Sequence, residues 1–268
     1  MPQKPAKNAP SKTEKSAVPS VAKAFDIIEL LVGVEGGLTM NEMVAALGRT
    51  MGEIYRIVIY LTEREFLTQH PETGKYAMTL KLFELSHRHD PTKRLISNAL
   101  PILERIAATT EQSCHLGVLN RNNVLVLTSA PSPRPAGYAV RTGAIFPVER
   151  TSSGHVILAF AAQDEQDRYI NRLPKAEQAT TAQRLATIRE NGFEDTASTM
   201  INGVRNLCVP VFDIRGITAA ITTGFIAQND PIATADETLA ALRSAASELS
   251  ALLGFRVSQS PFAASLLP

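Results

Sequence analysis

The feature that most constrains this chain lies in residues 39–81, where two short amphipathic helical patterns separated by a glycine run into a strand, turn, strand pattern. Thr39-Met40-Asn41-Glu42 sets a hydroxyl at a helix start and a carboxylate three residues on, so each satisfies a backbone N–H that the helix leaves free. Met40, Met43, Val44 and Leu47 then mark one helical face, and Gly48 supplies the permissive turn residue. From Thr50, Ile54, Ile57, Val58 and Leu61 define the buried side of a second helix, with Gly52, Glu53, Tyr55 and Arg56 opposite. The extended runs 66–70 and 75–79 flank Pro71-Glu72-Thr73-Gly74, a turn sequence. This order is that of a winged helix-turn-helix.

At 268 residues the chain is long enough for two ordinary domains, and 44% hydrophobic content with 20% charged residues suits a globular core. A net charge of +1 means that any nucleic-acid surface is local rather than a property of the whole molecule. No apolar run approaches the roughly 18 to 20 residues of a membrane span. The N-terminal lysines are followed by no apolar signal core, and Cys114 and Cys208 lie in separate apolar runs, so the expectation is a cytoplasmic protein with two reduced, buried thiols.

Residues 1–18 are rich in Lys, Pro, Ser and Ala without apolar period; Lys4, Lys7, Lys12 and Lys15 against Glu14 give +3, and the segment is expected to be disordered. A helix from Ser20 has Val21, Phe25, Ile28, Leu31 and Val32 on one face and is expected to end at Gly36-Gly37. The DNA-binding unit thus covers residues 19–80, with a linker helix (Leu80, Leu82, Phe83, Leu85) over 81–93, broken near Asp90-Pro91. Residues 94–256 form a second domain, and 257–268 a tail. The second domain opens with a helix around Leu95 to Ile106, then strands 115–119 and 124–127 across a turn, and an extended run at 137–140. Residues 151–154 precede an apolar helix at 155–162. Two amphipathic helices follow, the second stopping at Gly192; strands 207–212 and 217–226 pair across residues 213–216, and a helix runs from Thr234 to about Gly254. Hairpins with helices set around them describe an α+β fold with an antiparallel sheet.

The order of these elements, with Gly37-Leu38-Thr39, Tyr55-Arg56, Pro71-Glu72-Thr73-Gly74-Lys75-Tyr76, the run from Pro147 to Gly154, Gly203-Val204-Arg205 and Pro210-Val211-Phe212-Asp213, resembles the IclR family of bacterial transcriptional regulators over residues 20–254. The resemblance implies a winged helix-turn-helix, a linker helix used in dimerisation, and a GAF-like domain that binds a small metabolite. The implied partners are double-stranded operator DNA, a small-molecule effector and further copies of the chain, as a homodimer or dimer of dimers. No cofactor or metal is expected; His87 and His89 lack a third ligand nearby. The second helix departs from the family, which usually reads Pro-Lys-Ser-Thr-Val-His-Arg where this chain reads Thr50-Met51-Gly52-Glu53-Ile54-Tyr55-Arg56. Six basic against nine acidic residues between positions 20 and 86 leave the DNA-binding module at −3. Because phosphate neutralisation supplies much of protein–DNA affinity, such a module leans on its tail, its wing and its oligomeric state.

The candidate DNA contacts are Thr39, Thr50, Met51, Gly52, Glu53, Tyr55 and Arg56, with Thr73 and Lys75 in the wing; Arg56 suits a guanine edge or a phosphate, and Glu53 a cytosine amino group. In the second domain Thr151, Ser152, Ser153 and Gly154 stand at a helix start whose free N–H groups suit a carboxylate, or form an ordinary N-cap. The resemblance extends the effector site to Tyr138, Asp195, Thr196, Val204, Asn206, Thr222 and Gly224. Gly224 is expected to leave room and Tyr138 to offer a ring, which favours a larger or aromatic carboxylate. The alternative is a small-molecule hydrolase on the same scaffold. Cys114 and His115 are strand neighbours on opposite faces, and Ser152 or Ser153 with His155 lacks an evident third group.

Overall fold

The computed structural model describes residues 18–88 and 92–256. The expected disordered tail, the break at Asp90-Pro91, His89 and the C-terminal tail lie outside those residues, as do the side chains of residues 86–88. The chain divides into two compact units, 1–90 and 91–268.

The first unit contains α1 (Pro19–Val32), α2 (Met40–Leu47), α3 (Met51–Glu63), the strands β1 (Leu67–Gln69) and β2 (Tyr76–Met78), and the linker helix α4 (Lys81–Arg88). The capping box at α2 is present: Thr39 Oγ1 accepts from Glu42 N at 3.3 Å, and the Glu42 carboxylate accepts from Thr39 N at 2.7 Å. Gly48 ends α2 in the left-handed region at φ 60°. Ile54, Val58 and Leu61 face inward, joined by Ile27, Leu31, Met43, Leu67 and Tyr76. β1 and β2 pair antiparallel, Leu67 opposite Met78, and form the wing.

Two expectations about α1 are corrected. It ends at Gly33, not at Gly36-Gly37; Gly37 is instead needed at φ 74° where the chain crosses the wing, because a Cβ there would collide with the Tyr76 carbonyl. Its buried side is Ile27 and Leu31, whereas Val21, Phe25 and Val32 are exposed. α1 carries two apolar stripes, and the packed one is the stripe that reaches α3.

The second unit is a six-stranded antiparallel sheet in the order β5-β4-β3-β8-β7-β6. Its strands are β3 (Cys114–Asn120), β4 (Asn123–Ala130), β5 (Ile145–Pro147), β6 (Glu194–Ala197), β7 (Val204–Asp213) and β8 (Gly216–Ile226). α5 (Lys93–Thr110) and α9 (Ala235–Leu252) cover one face around Leu103, Leu207, Ile221 and Leu249. α6 (Ser152–Phe160) and α8 (Lys175–Asn191) cover the other around Val156, Ile188, Cys208 and Phe212, with α7 (Gln163–Ile170) beside them. The expected run at 137–140 is irregular; the edge pairing with β4 is made by β5, and β6 is an edge strand that the sequence reading does not include. α6 starts at Ser152, so Ser152, Ser153 and Gly154 form its first turn rather than precede it. Among the described residues no helix is long and apolar enough to cross a membrane, and no group of three His, Cys, Asp or Glu side chains is placed to hold a metal.

Candidate functional site

In the first unit α3 presents Met51, Gly52, Tyr55 and Arg56 on its exposed side. Arg56 forms no ion pair with any described residue. Glu53 is placed differently. One carboxylate oxygen accepts from Thr50 N and Oγ1, both at 2.9 Å, and the other pairs with Lys23 Nζ of α1 at 2.9 Å. The bonds from Thr50, then Lys23, hold its pKa down to about 2. Glu53 thus clamps α3 to α1, and its oxygens are occupied within the unit rather than presented to a base. Arg49 pairs with Asp26 at 2.6 Å and ties the α2–α3 turn to the same helix. Thr39 and Thr50 are likewise engaged at helix starts, while Thr73 Oγ1 accepts from Lys75 N at 3.4 Å within the exposed wing turn.

In the second unit the start of α6 meets the sheet in a pocket. It is lined by seven of the expected residues, Tyr138, Thr151, Ser152, Ser153, Asn206, Thr222 and Gly224. The sheet register explains the grouping: Asn206 lies opposite Gly224, and Cys208 opposite Thr222, which in turn faces His115. Residues directly opposite in an antiparallel pair share a face. His115, Val124, Val126, Val140, Phe146 and Met200 complete the wall and were not anticipated. For His115 a signal existed, since Cys114 belongs to the core on the α5 side and strand alternation sends the next residue to the other face. Burial lowers the His115 pKa to about 4, so it lines the pocket as a neutral imidazole near pH 7.

The α6 start has both of its expected characters. Thr151 is an N-cap whose Oγ1 accepts from Gly154 N at 3.1 Å. The N–H groups of Ser152 and Ser153 are then those without an intrahelical acceptor. Ser153 Oγ lies 2.8 Å from Thr222 Oγ1, which donates to Cys208 Sγ at 3.0 Å. Ser152 Oγ is buried with no hydrogen-bond partner, and no Lys or Arg lines the pocket.

Four expected residues stand outside it. A Cβ at Gly154 would lie 2.6 Å from the Val148 carbonyl oxygen, so this glycine serves the close approach of α6 to the preceding turn. Asp195 sits on the α5–α9 face, bound through both oxygens to the Arg205 guanidinium. Thr196 is opposite Asn206 on the pocket face but beyond its rim, and Val204 packs behind Gly224. The expected room at Gly224 is also corrected: a Cβ there would lie 2.6 Å from Tyr138 Cδ1 and Cε1, so the Tyr138 ring fills that space.

The cysteine form of the hydrolase alternative fares poorly. Cys114 Sγ donates to the Leu103 carbonyl on the core side at 3.3 Å, away from His115, and burial pushes its thiol up to about 12. Burial also raises Cys208, and both cysteines are free. A carboxylate that sequence did not reveal lies beside His155, with Nδ1 3.6 Å from Glu194 Oε2. Burial pushes Glu194 up, but His155 and then Arg184, whose Nε donates to its other oxygen at 2.6 Å, outweigh this and hold it below the usual carboxylate range.

A winged helix-turn-helix ahead of a pocketed α+β domain defines a ligand-responsive DNA-binding regulator. Residues 91–251 match the bacterial transcriptional regulator IclR C-terminal domain, and residues 20–71 match the IclR helix-turn-helix domain. The chain belongs to the IclR family of bacterial transcriptional regulators, which are not enzymes. The transcriptional regulator KdgR of Escherichia coli is 27% identical over 257 residues, covering 92% of this chain and 97% of KdgR. The glycerol operon regulatory protein of Streptomyces griseus is 27% identical over 246 residues, covering 88% and 97%. An IclR homolog from Microbacterium hydrocarbonoxydans, solved in complex with 4-hydroxybenzoate, shares the fold with a TM-score of 0.74 at 21% identity, over 88% of this chain and 99% of that one.

Proposed function

We propose that this regulator answers to a carboxylate effector with an apolar or aromatic body, and controls genes for catabolism of an organic or aromatic acid in the cytoplasm. Ser152 carries the reading: a buried hydroxyl without a partner, lining the pocket at the start of a nine-residue helix. A buried polar group without a partner is costly unless something fills its bonding capacity. An anion does so here, with the N–H groups of residues 152 and 153 beside it and the helix dipole contributing roughly 0.3 to 2 kcal/mol. Val124, Val126 and Phe146 supply apolar wall, while Asn206 and neutral His115 orient polar substituents. The IclR homolog that shares this fold holds an aromatic carboxylate.

The DNA-binding surface is Arg56 and Tyr55 of α3, with Met51, Gly52, Thr73 and Lys75 around them, acting on a partly palindromic operator. Paired half-sites require paired recognition helices. Leu80, Leu82, Phe83 and Leu85 at the linker helix, and Val21, Phe25 and Val32 on α1, are exposed apolar surface of the kind that marks association, here as a homodimer or dimer of dimers.

Mobility shifts on the upstream region of its own gene are expected to show a discrete complex at low salt, and failure to select any specific site genome-wide would refute operator binding. Calorimetry with short keto acids, aromatic acids and the corresponding amides is expected to show acids bound far better than amides. Equal binding would remove the helix-start anchor.

A further inference from the structure

The ring of Tyr138 occupies the side of the pocket where an apolar ligand body would lie. Gly224 is its socket: a Cβ at that position would meet two ring carbons at 2.6 Å and Val204 Cγ1 at 3.2 Å, so no other residue type leaves the ring where it is. The pocket is thus lined at one end by unsatisfied polar groups of α6 and filled at the other by a side chain of the same protein. The main chain around Tyr138 is fastened, but the ring is not. Its carbonyl accepts from Ser113 Oγ, and upstream Ser132 Oγ donates to the Glu111 carbonyl at 2.6 Å while Arg134 reaches the Glu111 carboxylate and the Asp230 carbonyl. The phenol has no hydrogen bond among the described residues, and the segment from 131 to 144 contributes no strand or helix. Turning the ring out therefore breaks van der Waals contact with Gly224 and Val204 and no hydrogen bond.

We propose that Tyr138 is a built-in competitor for the effector pocket, a displaceable plug whose seat is Gly224. The inference rests on the reading of this pocket as the effector site. A ligand that must expel a resident ring binds with an apparent affinity reduced by the fraction of molecules in which the ring is out. The plug also sets specificity: bodies too small to need the socket enter beside the ring, whereas aromatic bodies take its place.

The plug and the simpler role of a contact wall predict opposite signs. Calorimetry on the full chain with benzoate, benzamide, pyruvate and pyruvamide separates them. In Tyr138→Ala, benzoate is expected to bind at least tenfold more tightly than in the parent, with pyruvate changed less than threefold. Tyr138→Leu, which removes the ring but keeps an apolar side chain and leaves the Gly224 socket open, is expected to move benzoate in the same direction and guards against a folding defect in the first variant. Weaker benzoate binding in both variants, or no gain in either, overturns the plug. A gain shared equally by benzoate and benzamide supports the plug and refutes the carboxylate anchor; acid preference retained without any gain does the reverse.

Discussion

At the scale of single residues, three side chains carry opposite kinds of commitment. Arg56 is exposed on α3 without an ion pair among the described residues, so it is available to a partner. Arg56→Ala is expected to weaken the operator complex by about 1 to 3 kcal/mol and relax preference at one base pair, which titration against single-base operator variants measures. Glu53 is spent internally. Its pKa lies at about 2 in the folded chain against 4.5 ordinarily, so the unfolded state takes up the proton first as pH falls. The stabilisation is complete above about pH 4.5 and disappears toward pH 2, and thermal unfolding of Glu53→Gln is expected to depend less on pH across that window than the parent. The Ser152 hydroxyl has no hydrogen-bond partner among the described residues. Ser152→Ala is expected to leave the unfolding temperature unchanged or raised, while acid effectors lose about 1.5 to 3 kcal/mol, the worth of a hydrogen bond to a charged group. A fall in stability with unchanged effector affinity would make Ser152 a structural hydroxyl.

At the scale of elements, what sequence revealed was local and what it concealed was decided by a partner. The capping boxes at the starts of α2 and α3 and the Thr151 N-cap of α6 are readable because donor and acceptor are three residues apart. The long strands β7 and β8 are readable because eleven or so residues of alternation and apolarity accumulate. By contrast β5 and β6 have only three and four residues, and nothing but pairing with β4 and β7 makes them strands. The face of a strand residue hangs on register alone, which is why Asp195 falls on the side away from the pocket while Thr196 does not. Helix-start chemistry revealed residues 151–153, whereas Phe146, His115 and Met200 join them only through the sheet order. α1 shows the ambiguity most plainly: two apolar stripes satisfy helical periodicity, and Phe25 and Val32 remain 59% and 70% exposed. That outer stripe is expected to be an assembly surface. Phe25→Glu is expected to shift micromolar protein from dimer toward monomer in light scattering with helical circular dichroism unchanged. An unaltered dimer would confine the interface to α4.

At the scale of the whole molecule, charge is divided in a way that no single site displays. The folded DNA-binding module carries −3 between residues 20 and 86, and the 18 residues before it carry +3, four lysines against one glutamate. The net charge of the protein, +1, hides this separation. A negative module approaching a polyanion is repelled at long range, so the base contact proposed for Arg56 would act only once cations have brought the surfaces together. Within the module Lys23 and Arg49 are already paired to Glu53 and Asp26, and Lys81 to Glu65 and Glu84, which leaves Arg56, Arg64 at the end of α3 and Lys75 of the wing as the cations that form no salt bridge among the described residues. The tail lysines are therefore expected to supply much of the counterion release on binding. Each phosphate contact contributes about 0.9 to the slope of log affinity against log salt on duplex DNA. Removing residues 2–17 is expected to reduce that slope by roughly 2 to 4 per subunit, weakening specific and random duplexes alike while base preference at the operator is kept. Mobility shifts or anisotropy between about 50 and 200 mM salt read both quantities. A truncated protein with the parent slope would assign phosphate neutralisation to the folded module, and one that lost base preference would give the tail a reading role.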